Sequence, residues 1–366
     1  MSIECDRVDG VNLAQGVCDT PPPPLVVEAA SKAMRDGINI YTRYDGLSEL
    51  REAIAFKVER DAGMKVNPET QVTVSAGSTG AFYCACLALL NPGDEVILFE
   101  PFYGYHVNTL LSVEAVPTYV AMQAPNWTFT REDLERVVSP RTRGIMVCTP
   151  GNPSGKIYSP SELQIIADFA EAHDLFVFTD EIYEYFIYDG QTHRTIAALP
   201  GMSERTILIS GYSKTFSITG WRIGYAISSP KWAQMIGYMN DLIYVCAPAP
   251  LQIGVAEGIL KLPMSYYQDL SAEYRRKRDL ICGVLTRIGL APSVPPGAYY
   301  VLADISALGF ATSKEAAMHL LKNTRVASVP GTSFFDGLNG ERFVRFCFAK
   351  QMGELKTACE MLASFK

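Results

Sequence analysis

From residue 71 onward the chain alternates short β-branched or apolar runs with helical stretches. The runs are QVTVS (71–75), DEVILFE (94–100), GIMVCT (144–149), LFVFTD (175–180), RTILIS (205–210) and RIGYAI (222–227). They are too short for helices and too uniformly apolar for one solvated face, so they read as strands buried on both sides. Amphipathic segments lie between several of them, such as Ser161–His173 behind the start signal at Pro160. Strand–helix alternation predicts an α/β fold whose mainly parallel sheet is sandwiched by helices.

The rhythm differs at both ends. Four prolines at 21–24 close an N-terminal arm and forbid a helix across them. A helix then begins near Leu25 and ends before Gly37, and another spans about Leu47 to Ala62, with Ser48 near its start. Near Met264 the alternation stops. A long charged helix (Tyr266–Ile288) is followed by strand 298–303, helix 313–323, strands near 325–329 and 342–348, and a terminal helix. These predict a smaller α+β domain formed by the C-terminal segment and the N-terminal arm. The expected division is 1–36 (arm and first helix, with the small domain), 37–264 (large domain) and 265–366 (small domain). A chain of 366 residues is also too long for one small core.

Composition narrows the partners. A net charge of -7 argues against nucleic acid or an anionic membrane, though a local basic site for a small anion stays open. The nine cysteines include no CxxC pair, and most sit in apolar runs, so zinc is not expected and no metal is assigned. Reduced, buried thiols fit a cytosolic protein. The opening MSIECDRVDG is too polar for a signal peptide, and no apolar run reaches membrane-span length; a soluble cytoplasmic protein is expected.

In an open parallel sheet, ligands bind beyond the carboxyl ends of the strands. After 71–75 come Gly77, Ser78, Thr79 and Gly80, with a helix expected from about Ala81. Small residues at a helix amino end suit an anion, although a plain tight turn explains them alone. Neither GxGxxG nor GxxxxGK[ST] occurs, so dinucleotide and ATP sites lack their fingerprints. Tyr103 follows the second run, Asn152 the third, Asp180 and Tyr183 the fourth, and Ser213, Lys214 and Arg222 the fifth. Each has an ordinary explanation: core aromatic, turn residue, helix cap or surface lysine. Together they line one sheet edge with an anion cradle, an aromatic, an amide, a carboxylate, a phenol, a lysine and an arginine. That set meets the needs of a phosphorylated pyridine aldehyde.

SGYSKTFSITGWRIGY resembles the lysine signature of the class I/II aminotransferases, of the aspartate aminotransferase superfamily. NLAQGVCDTPPP, YTRYDGLSELREAIA, NPGDEVILFEPFYGY, CTPGNPSGKIYS, FTDEIYEYFIYDG, GAYYVLADIS and RFVRFCFA extend the likeness over nearly the whole chain. The resemblance implies fold type I and pyridoxal 5′-phosphate held by Lys214 as a Schiff base, with Lys214 then shuttling the proton. It implies Asp180 on the pyridine nitrogen, Asn152 and Tyr183 on the ring oxygen, and Tyr103 stacked on the ring. Gly77, Ser78, Thr79, Ser213 and Arg222 would take the phosphate, and Arg345 and Gly16 would meet the substrate carboxylate. Tyr41 would reach the phosphate of a neighbouring subunit, in a homodimer with composite sites.

Two positions depart from the family pattern. The serine often found three residues before the lysine is Gly211 here, with Ser210 and Ser213 nearby, so the phosphate is expected to use either serine or to have one donor fewer. The proline expected soon after the arm glycine is absent, because Gly16 is followed by Val17, Cys18 and Asp19. The implied activity is amino transfer between an L-amino acid and a 2-oxo acid. The alternative is a C–S β-lyase using the same residues; a transcription regulator would need an attached basic DNA-binding domain. Tyr41, Tyr44, Tyr103, Tyr105, Tyr299 and Tyr300 are candidates to line a pocket for aromatic or bulky neutral side chains, with core packing as the competing role.

Overall fold

The computed structural model describes residues 1–365; Lys366, the last residue of the C-terminal segment, lies outside them. The chain opens with a short helix, α1 (Ser2–Arg7), and a two-residue strand, β1 (Val11–Asn12). Neither shows in the hydrophobic pattern, which needs several repeats to register. The prolines delay the next helix to α2 (Pro24–Arg35), where Pro24 occupies the first turn and needs no backbone N–H partner. Helix α3 (Ser48–Ala62) stops at Gly63, whose φ of 68° is the left-handed cap that glycine adopts without a Cβ clash.

The large sheet contains β2 (Val72–Ala76), β3 (Glu95–Glu100), β4 (Val116–Ala121), β5 (Thr142–Cys148), β6 (Phe176–Asp180), β7 (Thr206–Gly211) and β8 (Ile223–Ile227). Helices α4 (Gly77–Leu89), α5 (Gly104–Ser112), α6 (Arg131–Glu135) and α7 (Pro160–Ala172) connect strands, and α8 (Pro230–Tyr244) and α9 (Ala249–Lys261) follow the last. The spatial order is β2-β8-β7-β6-β5-β3-β4, parallel except that β8 runs against both its neighbours. The six expected strands appear within two residues of their predicted bounds. β4 does not show in the pattern because it is an edge strand: VPTYVA is largely half-exposed, and Pro117 is tolerated where only β3 pairs with it.

The rest forms α10 (Met264–Arg287), β9 (Ala291–Ser293), β10 (Tyr300–Asp304), α11 (Ser313–Thr324), β11 (Val326–Ala327), β12 (Val329–Pro330), β13 (Phe343–Cys347) and α12 (Met352–Ala363). Strands β12-β13-β10-β9 make an antiparallel sheet, and β11 pairs with β1 in parallel. The run near 325–329 therefore splits at the buried Ser328, each half serving a different sheet.

The first 36 residues divide as well. The arm joins the C-terminal layer, but α2 packs on α9, where Gly254 and Gly258 leave room for Val26. One apolar cluster links Leu13 and Cys18 of the arm, Tyr183 and Phe186 after β6, and Tyr299, Tyr300 and Phe346 of the C-terminal sheet. It closes over the carboxyl edge of the large sheet. None of the nine cysteines is in a disulfide, and among the described residues no helix is long and apolar enough to cross a membrane.

Candidate active site

Strand register gathers the candidate residues. Cys148 pairs with Asp180, Asp180 with Ile209, Gly211 with Gly224, and Ala76 with Ile223. The segments after β2, β5, β6 and β7, and the one before β8, thus leave the sheet along one edge. They enclose a cleft of about 640 Å³. Ser78, Thr79, Tyr103, Asn152, Asp180, Tyr183, Ser213, Lys214 and Arg222 all line it, as do Tyr105, His106 and Thr219.

One end is built for an anion. Helix α4 begins at Gly77 rather than near Ala81, so Gly77, Ser78 and Thr79 form its first turn. No side chain caps this turn and no acidic residue lies in it. Its N–H groups and the positive end of the helix dipole therefore face the cleft edge without an internal anion. Gly77 has φ +76°, and a Cβ there would strike the Arg222 guanidinium; one at Gly224 would strike the backbone of Gly77 and Ser78. Arg222 itself has φ 56°, a conformation costing a non-glycine residue roughly 1 kcal/mol. It folds the side chain back so that Nη1 donates to the Thr219 carbonyl at 2.8 Å and Nη2 to that of Ala76 at 3.4 Å.

The structure also distinguishes the two serines. A Cβ at Gly211 would lie 2.9 Å from the Gly224 Cα and from the Ile223 carbonyl oxygen, so β8 crowds any side chain at that position. Ser210 points away from the cleft, and its hydroxyl donates to Glu184 Oε1 at 3.2 Å. Ser213 is buried and lines the cleft.

At the centre, Lys214 Nζ donates to the Gly16 carbonyl at 3.2 Å. Burial holds this amine below the ordinary lysine value, and the Arg222 charge pushes the same way. Asp180, 7% exposed, has Oδ2 3.0 Å from His106 Nε2 and accepts the Ile182 N–H on Oδ1 at 3.2 Å. His106 is a site residue the sequence reasoning passed over. Its signal was the spacing in FYGYH, which puts it one helical turn beyond Tyr103 at the start of α5. Its ring meets Phe82 and Tyr103 edge-on, at 5.2 and 5.3 Å between centroids. Tyr103 stacks on Tyr105 at 5.1 Å with 16° between planes. Burial raises the Tyr103 phenol above its ordinary range.

Behind the cleft lining, reached through Asn152, stands Arg345 of β13, 6% exposed. Nη1 donates to Asn152 Oδ1 at 2.9 Å and Nη2 to the Ala14 carbonyl at 2.7 Å. The rings of Tyr300 and Phe334 lie 4.4 and 4.7 Å from Cζ. Nε is buried without a partner, and among the described residues no carboxylate pairs with this guanidinium. A surface inter-strand bridge is instead made by Arg342, with Asp304. Tyr183 and Tyr300 share a 2.9 Å hydrogen bond between hydroxyls that burial keeps neutral. Gly16 packs against the Tyr300 hydroxyl, where a Cβ would collide, and its carbonyl accepts from the Tyr299 hydroxyl at 3.2 Å. Ala14, Tyr300 and Phe334 complete the surroundings of Arg345; of these the Ala14 carbonyl and the Phe334 ring face have no sequence motif.

Tyr41 is not gathered in: it is 79% exposed. Tyr44 packs on Tyr238, Tyr299 is fully buried, and only Tyr103, Tyr105 and Tyr183 among the tyrosines line the cleft. Among the described residues one group has metal-ligand spacing, Glu181, Glu184 and His193. The Lys57 ammonium already pairs with Glu184 there.

A mainly parallel sheet with its cleft at the carboxyl ends of the strands, and a smaller antiparallel layer packed beside it, places this chain among the α/β proteins that hold small molecules beyond their strand ends. Residues 8–362 match the family model for aminotransferase class I and II, and the chain belongs to that family. Its activity is transamination, and the family depends on pyridoxal 5′-phosphate. The chain is 34% identical to kynurenine–oxoglutarate transaminase 3 of Mus musculus, covering 97% of this chain and 84% of that one. The solved N-succinyldiaminopimelate aminotransferase from Mycobacterium tuberculosis superposes with a TM-score of 0.96 at 34% identity, covering 100% and 96%. The aromatic aminotransferase from Pyrococcus horikoshii gives 0.92 at 33%, covering 99% and 97%. These relatives carry three different substrate names at nearly equal identity.

Proposed function

We propose that this cleft holds pyridoxal 5′-phosphate on Lys214 and moves an amino group between an L-amino acid and a 2-oxo acid. The residues fit the group: an uncapped helix start with Arg222 across it suits the phosphate, and Asp180 is a buried carboxylate already oriented by His106. Ser78, Thr79, Ser213 and Arg222 would hold the phosphate, Asp180 the pyridine nitrogen, Asn152 and Tyr183 the ring oxygen, and Tyr103 a ring face. When bound, the cofactor supplies an electron sink that lets a bond to the substrate α-carbon break.

The chain's residues do the remaining work. Lys214, whose amine burial holds below the ordinary lysine value, would take up the substrate's α-proton on Nζ and deliver it two atoms away, on the cofactor side of the nitrogen, the 1,3-shift that amino transfer requires. Arg345 turns its fork to the α-carboxylate, already oriented by Asn152, Ala14 and two ring faces. The observation that carries this reading is that guanidinium: buried, lacking a carboxylate, in hydrogen-bond contact with the cleft residue Asn152. Besides Lys214 and Arg222 no cation lines the cleft among the described residues, and Tyr103 and Tyr105 form one wall. This supports donors with aromatic or bulky neutral side chains over dicarboxylic ones.

The test is a single half-reaction with a panel of such donors and no oxo acid. The expected result is one equivalent of 2-oxo acid per site and no ammonia, with turnover resuming on adding 2-oxoglutarate or pyruvate. Continuous release of ammonia and pyruvate would establish the C–S β-lyase instead.

The same proposal divides the enzyme into a large cofactor-binding part (37–264) and a C-terminal part (265–366), with the arm bridging them. It places the enzyme in the cytoplasm, a compartment suited to nine unpaired thiols. It also makes it a homodimer. Ile40 and Tyr41 are 80% and 79% exposed, and Leu242, Ile243 and Tyr238 are exposed as well, an apolar set more suited to a partner than to water. Light scattering should report twice the chain mass. Mixed Tyr41→Phe and Lys214→Ala chains should regain activity that neither has fully alone, because one hybrid site carries both intact residues. A fully active monomer would rule the dimer out.

A further inference from the structure

The cofactor's proposed partners are Asp180, the last residue of β6, and Tyr183, inside the irregular turn 181–186 that follows it. Backbone bonds secure it at its ends and once inside: Thr149 N–H to the Asp180 carbonyl at 3.0 Å, Glu181 N–H to that of Ile209 at 2.8 Å, Glu184 N–H to that of Glu181 at 3.0 Å, Phe186 N–H to that of Tyr183 at 2.8 Å and Ala298 N–H to that of Phe186 at 2.9 Å. Behind it lies a recess of about 1000 Å³, bordered by Lys57, Glu181, Glu184 and His193. The recess also has apolar walls, among them Val58, Leu163, Leu199 and Leu208, but the directional bonds that reach the turn from this side come from three polar side chains. Glu184, 7% exposed, accepts the Ser210 hydroxyl on Oε1 at 3.2 Å and the Lys57 ammonium on Oε2. Lys57 is 4% exposed, and the Ser210 hydroxyl lies also 3.3 Å from the Glu181 carbonyl.

We propose that Lys57, Glu184 and Ser210 are positioning residues that fix the catalytic turn, and with it Asp180 and Tyr183, against the strand leading to Lys214. The three come from three elements. Lys57 belongs to α3, Glu184 to the turn, and Ser210 to β7, four residues before Lys214. A buried ion pair contributes little net stability, because desolvation offsets the attraction, and well-packed apolar side chains often replace it without loss. Its directional bonds are what an apolar pair cannot supply. The same contacts account for Ser210, which the sequence offered as a phosphate ligand and the structure turns away from the cleft. They also account for the nearby Glu181–Glu184–His193 group, whose cationic partner is Lys57.

This inference rests on the cleft being the cofactor site, and the test separates the two. Lys57→Met, Glu184→Leu, the double variant and Ser210→Ala are compared by thermal midpoint, cofactor dissociation constant and kcat and KM for the amino donor. Lys57→Met leaves the Glu184 carboxylate buried without its cation, and Glu184→Leu leaves Lys57 with only the longer 3.9 Å contact to Asp61, so the midpoint falls in both. The double variant regains the midpoint, but its cofactor dissociation constant stays raised and kcat lowered, each by roughly 10-fold or more, as expected when reacting groups shift by a fraction of an ångström. KM stays within about two-fold, because Arg345 is untouched. Ser210→Ala removes one hydrogen bond and no charge; it keeps a near-normal midpoint and shows the same kcat loss in smaller degree. Recovery of cofactor affinity and kcat together with stability in the double variant overturns the proposal, as does wild-type kcat in Ser210→Ala if the double variant does not fold. Failure of the wild-type protein to bind the cofactor would instead refute the site assignment.

Discussion

Asp180→Asn is expected to lower kcat by roughly 100- to 1,000-fold, the range for removing one preorganised electrostatic partner from a catalytic site. The substitution preserves shape and can still accept the Ile182 N–H, so the turn should stand. What it removes is the negative charge. Asp180 ends a strand buried on nearly every residue and bonds His106 at 3.0 Å. In that setting a carboxylate stabilises a proton on the pyridine nitrogen, and a neutral amide does so poorly. The cofactor should remain bound, with its dissociation constant changed far less than kcat, because the anion cradle at Gly77–Thr79 and Arg222 lies elsewhere in the cleft. Parallel measurement of kcat and cofactor affinity checks this. A near-normal kcat with bound cofactor would remove Asp180 from its role.

Lys214→Ala should cost more, roughly 10,000-fold in kcat or beyond, as expected when a residue acting directly on the reacting atoms is deleted. The lysine has two duties, holding the cofactor and carrying the proton, and no second amine lines the cleft among the described residues. The variant should fold normally. Lys214 makes one polar side-chain contact, with the Gly16 carbonyl, and that acceptor keeps the Tyr299 hydroxyl. Single-turnover assays with a good donor measure the loss, and an unchanged thermal midpoint would show that it is chemical.

Much of this site was legible because its residues sit at points where strands end. Six apolar runs located six strands, and what followed each run was placed on one edge by the rule for open α/β sheets. Lys214, Asp180, Asn152 and Arg222 were visible in that way. The missing parts share a physical cause. His106 contributes through a side-chain contact across two elements, and its one signal in the sequence, the one-turn spacing from Tyr103, does not by itself point to that contact. The Ala14 carbonyl and the Phe334 ring work through backbone and packing, while Tyr300, a pocket candidate in the sequence, lays its ring against Arg345. The start of α4 was placed too late because Gly77, Ser78 and Thr79 are poor helix formers, and tertiary packing against Arg222 and Gly224 overrides that preference. β4 went unseen because an edge strand need not be apolar. Telling which of Ser210 and Ser213 lines the cleft required knowing which way Ser210 leaves β7, and its bond to Glu184 gives that.

The central claim is that Lys214 carries the cofactor. Purified protein is loaded with pyridoxal 5′-phosphate, reduced with borohydride to fix the cofactor to whichever amine bears it, and mapped by peptide mass spectrometry. One modification per chain on Lys214, absent from Lys214→Ala, is the predicted result. Stoichiometric modification of any other lysine, Lys57 included, with Lys214 unmodified, would contradict the account.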